Sequence, residues 1–162
     1  MNIIRCKIGL IGDTRVGKTS IVNQLVKNTF SGSYQTTLGI DYNQYEVKIN
    51  DTNYTVQFHI LDFSGFSIFR EMINNPIRDV NFILYVYDST NLESFQSIKL
   101  WKLALSEIDL KSNVVEYLAK KYNFKSWSVS ARASNNLKEL FQDMANTYYE
   151  NYFKFVNKIK NL

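Results

Sequence analysis

Cysteine and histidine are almost absent from this sequence, with one of each in 162 residues. A lone cysteine, Cys6, cannot close an internal disulfide, and this usage suits a reducing compartment. It lies in an apolar strand pattern and reads as a small buried hydrophobe. The lone histidine, His59, falls on the opposite face of its strand from Phe58 and Ile60 and is assigned no role. Long apolar runs are missing too. None is long enough to cross a membrane, and Arg5 and Lys7 interrupt the N-terminal run, so no signal peptide is expected. There is no basic stripe interleaved with aromatics. The net charge of +4 is mild, its lysines scattered with a cluster near the end, so no nucleic-acid partner is expected. No repeat, linker or low-complexity block divides the sequence, and its length fits a single domain, residues 1–162.

Apolar side chains make up 45% of the residues, with eleven Phe and eleven Tyr among them. That is enough for a proper core. Within this background one stretch stands out: Gly12-Asp13-Thr14-Arg15-Val16-Gly17-Lys18-Thr19. It has the pattern Gly, four residues, Gly-Lys-Thr. An apolar run (Ile3, Ile4, Ile8, Leu10, Ile11) precedes it, and a helical pattern (Ile21, Val22, Leu25, Val26) follows. Strand, loop and helix in that order are the context a phosphate-binding loop needs. Its backbone N–H groups form an anion cradle, and the helix N-terminus adds positive potential. Lys18 is then placed to reach outer phosphates, and the Thr19 hydroxyl to sit on Mg²⁺.

The rest of the chain alternates strands with helices. Met1 to Ile11 reads as a buried strand and Lys18 to Lys27 as a helix. The polar segment 28–37 reads as a loop able to fold over a nucleotide. Tyr42 to Ile49 and Tyr54 to Asp62 both alternate, with a turn at 50–53, and predict a β-hairpin. Asp62-Phe63-Ser64-Gly65-Phe66 leaves that hairpin with an acid and a glycine, as a second metal and phosphate contact requires. Phe82 to Asp88 is a continuous apolar run and predicts a central parallel strand buried on both faces. Asp88-Ser89-Thr90-Asn91 carries turn and cap chemistry. A helix from Leu92 to Ile108 follows, with Phe95, Ile98, Trp101 or Leu100, Leu105 and Ile108 at helical spacing. A shorter helix is predicted at Val114 to Tyr122 and a strand at Phe124 to Val129. A terminal amphipathic helix runs from Leu137 to Ile159, its aromatics read as core. The pattern predicts an α/β fold of the P-loop nucleotide-hydrolase type. Its sheet would be mostly parallel with one antiparallel hairpin strand, and helices would cover both faces.

Taken together, these motifs resemble a small GTPase of the Ras superfamily, most closely the Rab family. Tyr34 to Asp41 resembles switch I, with Thr37 at the threonine that meets Mg²⁺ and the outermost phosphate. Leu61-Asp62, Gly65 and Phe69-Arg70 resemble the start of switch II. Ser130-Ala131-Arg132 resembles the loop whose backbone reads the guanine. The resemblance implies GTP or GDP and Mg²⁺ as ligands. Nucleotide contacts would come from residues 12–19, Ser20, Tyr34, Thr37, Asp62, Gly65, Ser130, Ala131 and Arg132. Metal contacts would come from Thr19, Thr37 and, through water, Asp62. It also implies effectors, exchange factors and GTPase-activating proteins binding at 30–42 and 62–78, where Phe63, Phe66, Ile68 and Phe69 make switch II unusually apolar.

Two departures stand against the family pattern. Phe66 occupies the position of the glutamine that orients the attacking water; no other catalytic residue is assigned, and intrinsic hydrolysis is expected to be slow. The apolar strand ending in Asn-Lys-x-Asp is not found, so one strand of the sheet is expected to be missing near Asn113–Val114. Asp109 is the nearest acid, and a helix-surface acid is its commoner explanation. The readings left open are a slow Rab-like switch in vesicle trafficking, a pseudo-GTPase interaction module, and another P-loop hydrolase. The resemblance implies a cytoplasmic chain, at the cytosolic face of endomembranes if a lipidated tail is present; residues 158–162 carry no cysteine for prenylation.

Overall fold

The computed structural model describes residues 1–69, 73, 76–106 and 125–160. Four strands form one sheet in it. β1 (Asn2–Ile11), β2 (Ile40–Lys48), β3 (Tyr54–Phe63) and β4 (Phe82–Tyr85) are arranged in the order β2-β3-β1-β4. β1 is parallel to both β3 and β4, and β2 runs antiparallel to β3. The hairpin turn closes where the Thr52 hydroxyl donates to the Ile49 carbonyl at 2.9 Å and accepts from the Tyr54 N–H at 3.1 Å.

Alternation along β1 and β3 sends side chains to two cores. Cys6, Ile8, Leu10, Val56, Phe58 and Ile60 pack against α1 (Lys18–Lys27) and the terminal helix α3 (Leu137–Lys160). Burial pushes the Cys6 thiol pKa far up, as its packing among hydrocarbons requires. On the other face, Ile11, Leu61 and Phe63 pack with Ile73, Ile77 and Val80 and with Trp101 and Leu105 of α2 (Leu92–Ser106). Helices therefore cover both faces of a mostly parallel sheet, which is the α/β fold the pattern predicts. The Asn91 side chain caps α2, accepting from the N–H groups of Glu93 and Ser94 at 2.9 and 3.2 Å.

Four expectations are corrected. The run predicted as a central strand over Phe82–Asp88 stops at Tyr85, and all four of its residues are only half-buried. Among the described residues β1 is its one ladder neighbour, so one side carries no strand to cover it. Residues 125–129 form no strand; the described sheet offers them no ladder, and Trp127 and Val129 pack against the α1–α3 core from a coil. In α2 it is Trp101 that turns inward while Leu100 and Phe95 are exposed, Phe95 stacking edge-on with Tyr87 at 4.9 Å. In α3 the last buried residue is Ala145; Tyr149 and Phe153 still stack on Tyr54, but Tyr152, Phe155 and Ile159 are exposed. A 24-residue helix is about 36 Å long and outruns the sheet it packs on. The predicted helix at 114–122, the missing-strand site and Asp109 lie outside the described residues, as do Arg70, Ile108 and Phe124.

Candidate functional site

β1 delivers the chain to the loop at its carboxyl end, and α1 begins at Lys18 directly after it. Two close approaches shape this loop. A Cβ on Gly12 would lie 2.0 Å from the Val86 carbonyl oxygen. One on Gly65 would lie 2.4 Å from the backbone of both Asp13 and Thr14. Hydrogen at these positions lets the end of β3 and the exit of β4 press against the loop.

Lys18 is buried, and its ammonium donates to the carbonyls of Gly12 and Asp13 at 2.9 and 2.7 Å. Burial pushes its pKa down to about 8, against the opposing pull of the Asp62 and Asp13 charges. At the next residue, the Thr19 hydroxyl donates to Asp62 Oδ2 at 2.6 Å and lies 2.9 Å from the Thr37 hydroxyl. Thr19 has one proton, so Thr37 must be the donor in the second contact. Burial pushes the Asp62 carboxyl up to about 6. The Thr19 hydrogen bond and the Lys18 charge oppose this, and Asp41 adds to it.

Asp62 Oδ1 is buried and accepts no hydrogen bond. A buried carboxylate oxygen without a partner is costly. A water on a cation held by the Thr19 and Thr37 hydroxyls would satisfy it. All three donors are oxygens, which suits a hard ion such as Mg²⁺. Among the described residues no cluster of three or more His, Cys, Asp or Glu could cage a metal. A site of one carboxylate and two hydroxyls needs phosphate and water to complete it, as Mg²⁺ sites on nucleotides do.

The structure brings most of the predicted residues together. Thr14, Arg15, Gly17, Lys18, Thr19, Ser20, Tyr34, Thr37 and Gly65 line one cavity. Gly12, Asp13 and Asp62 join it through the bonds above, and Val16 packs beside Gly12. Ser130, Ala131 and Arg132 do not line it. They sit in a turn closed by an isolated bridge from Ser130 to Asn135, just before α3. Phe66 does not line the cavity; it is exposed, one residue past Gly65, with its ring 6.5 Å from that of Phe69.

Two sets of participants are not evident from the sequence. Asn23, Ser31, Ser33, Gln35 and Ser64 also line the cavity; the serines of the polar loop are legible as loop but not as lining. The Trp101 indole N–H donates to Asp13 Oδ1 at 2.8 Å from a fully buried position. It ties α2 to the loop whose carbonyl holds Lys18.

A family model described as Ras of Complex, Roc, domain of DAPkinase matches residues 7–123. A Ras-related protein Rab-5B from Plasmodium falciparum is 30% identical over 169 aligned positions, covering 91% of this chain and 80% of the relative. The chain belongs to the Rab family of small GTPases. Small GTPases generally bind GTP or GDP with Mg²⁺, and regulators and effectors besides. The aligned span is longer than the chain itself, so this relative has positions with no counterpart in the present Rab-family chain. Among the described residues no helix is long and apolar enough to cross a membrane.

Proposed function

We propose that this Rab-family chain is a single G domain, residues 1–162, that binds GTP and GDP with Mg²⁺, switches between the two states in vesicle trafficking, and hydrolyses GTP slowly. The observation that carries the binding reading is the meeting of Lys18, Thr19, Thr37 and Asp62 around one cavity, with an unpartnered carboxylate oxygen among them. When bound, Mg²⁺ would supply charge neutralisation between phosphate oxygens. Thr19 and Thr37 would hold it directly and Asp62 through water. Thr37 would gain its metal and phosphate contacts only while the outermost phosphate is there, which is how a nucleotide becomes a readable surface.

Effectors, exchange factors and activating proteins would meet residues 30–42 and 62–78. Of the four switch II side chains expected to form an apolar surface, Phe66 and Ile68 are exposed, Phe69 is half-buried and Phe63 is buried in the second core. With exposed Phe30, Leu38 and Tyr42, the exposed ones make apolar surface of the kind that suits a partner. The working compartment would be the cytoplasm, and the cytosolic face of endomembranes where a lipid anchor is present. Ser130, Ala131 and Arg132 would read the base from their turn.

Slow hydrolysis follows from Phe66. A phenyl ring can neither donate nor accept the hydrogen bond that orients an attacking water. In a single-turnover assay, Phe66→Gln should raise the intrinsic rate by on the order of 10-fold or more. An unchanged rate would show that water positioning is not what limits this chain. The pseudo-GTPase alternative draws on the same Phe66. Titration of purified protein with GDP, GTP and ATP separates the readings: no binding leaves an interaction module, and ATP as tight as GTP points to another P-loop hydrolase.

A further inference from the structure

We propose that the Arg15 side chain is a second phosphate-facing cation of this loop, held at the cavity rim by Tyr34, and that it favours a nucleoside triphosphate over a diphosphate. The proposal rests on the nucleotide-binding reading above. Arg15 adopts φ 63°, in the left-handed region. A residue with a Cβ enters that region at a cost, and such conformations persist where the surroundings hold them. At this turn the side chain leaves the loop toward switch I. Its guanidinium carbon lies 5.0 Å from the centre of the Tyr34 ring, and both residues line the same cavity as Lys18, Thr19 and Thr37.

The chemistry of that stack decides what Arg15 can do. Stacking on an aromatic uses the face of the guanidinium and leaves its in-plane N–H donors free. Those donors match phosphate oxygens in pairs, and the charge of arginine does not titrate away. Lys18 lies deep, bonded to the loop carbonyls, while Arg15 lies at the rim. A phosphate chain entering the cavity would then have one cation below it and another beside it.

Tyr34 decides which phosphate benefits. It belongs to the strap that carries Thr37, and Thr37, three residues further on, is bonded to Thr19. Tyr34 is 49% exposed, so core packing alone does not pin it. The strap touches the loop at two points: Thr37 at the metal side and Tyr34 on Arg15. The outermost phosphate is the one that orders such a strap. Arg15, stacked on the strap, would therefore act on the triphosphate and scarcely on the diphosphate.

The test uses the full chain with Mg²⁺, titrated with GDP and with a non-hydrolysable GTP analogue. Arg15→Ala should weaken the analogue about 10-fold, the worth of one charge-assisted bond, and GDP less than about 2-fold. Arg15→Lys should fall between, since an ammonium keeps the charge but loses the planar fork. Tyr34→Leu should lower the analogue-to-GDP preference in the same direction. Lys154→Ala, which removes an exposed charge on α3 far along the sequence, should change neither. Equal weakening of both nucleotides by Arg15→Ala would mean general damage to the loop and overturn the proposal. So would an unchanged ratio, or a matching loss in Lys154→Ala. Wild-type protein that binds neither nucleotide would instead overturn the underlying reading of the cavity.

Discussion

Gly65 and Asp62 lie three residues apart and do opposite things to the loop they face. Gly65 removes an obstacle: the space a Cβ would need is filled by the Asp13–Thr14 peptide at 2.4 Å. Asp62 adds a demand, a buried oxygen with no partner. Gly65→Ala should push the end of β3 away from the loop. Overpacking against backbone costs about 1–3 kcal/mol, so the variant should unfold at lower urea and bind nucleotide less tightly. Equal urea midpoints for variant and wild type would show that the close approach relaxes freely. Lys18, Thr19, Thr37 and Asp62 are legible in the sequence alone. Phosphate and metal chemistry restricts both the residue types and the order in which strand, loop and helix present them. The stack of Arg15 on Tyr34 is not legible there, because nothing in a loop's composition says how its side chains turn. The bond from Trp101 to Asp13 is also hidden, since 88 residues separate its partners.

At the scale of elements, α2 does more than cover the sheet. Trp101 fills the second core with its ring and holds the phosphate loop with its indole N–H. The two roles can be separated. Trp101→Phe keeps most of the apolar volume and removes the donor, leaving Asp13 without that bond. Loss of a hydrogen bond to a charged group costs about 1.5–3 kcal/mol, and the smaller ring adds a cavity cost. The variant should show a lower denaturant midpoint and faster release of bound nucleotide, read by stopped-flow displacement. A lower midpoint with unchanged release would confine Trp101 to the core. Elements with a strong period are legible: β1, the β2–β3 hairpin, α1 and the first half of α3 lie where alternation or a 3.6-residue repeat puts them. β4 defeats the pattern because a run of Phe, Ile, Leu and Tyr is equally apolar whether a strand has one neighbour or two. Residues 125–129 defeat it for a related reason. Their aromatics anchor them to the core, but a strand also needs a partner, and periodicity cannot report one. The end of α3 shows the converse: its stripe continues through Phe155 to Ile159, both exposed, beyond the ring contact of Phe153 on Tyr54.

For the whole molecule, the four described strands place every polar contact of the site at one end of the sheet, where β1, β3 and β4 deliver their carboxyl ends. That end carries Lys18 and Asp62, both buried and both shifted toward their neutral forms. A bound anion and cation would answer each of them, so the fold and its ligands should stabilise one another. Ligand that binds only the native state adds about 4 kcal/mol at a thousandfold excess over Kd. For a domain of this size each kcal/mol raises Tm by about 2–4 °C. Mg²⁺ with GDP should therefore raise the melting temperature by roughly 8–16 °C over the nucleotide-free protein. Chelating the Mg²⁺ should return part of that rise, because the hydroxyls of Thr19 and Thr37 and the carboxylate of Asp62 would lose the ion that joins them to the phosphates. Mg²⁺ with ATP should give a smaller shift if the turn at Ser130–Arg132 reads the base, and an equal shift if the phosphate site alone decides binding. A melting curve unmoved by any of the nucleotides would mean that the convergence of these residues does not make a working site. The Rab-family chain would then function through its apolar switch surface alone.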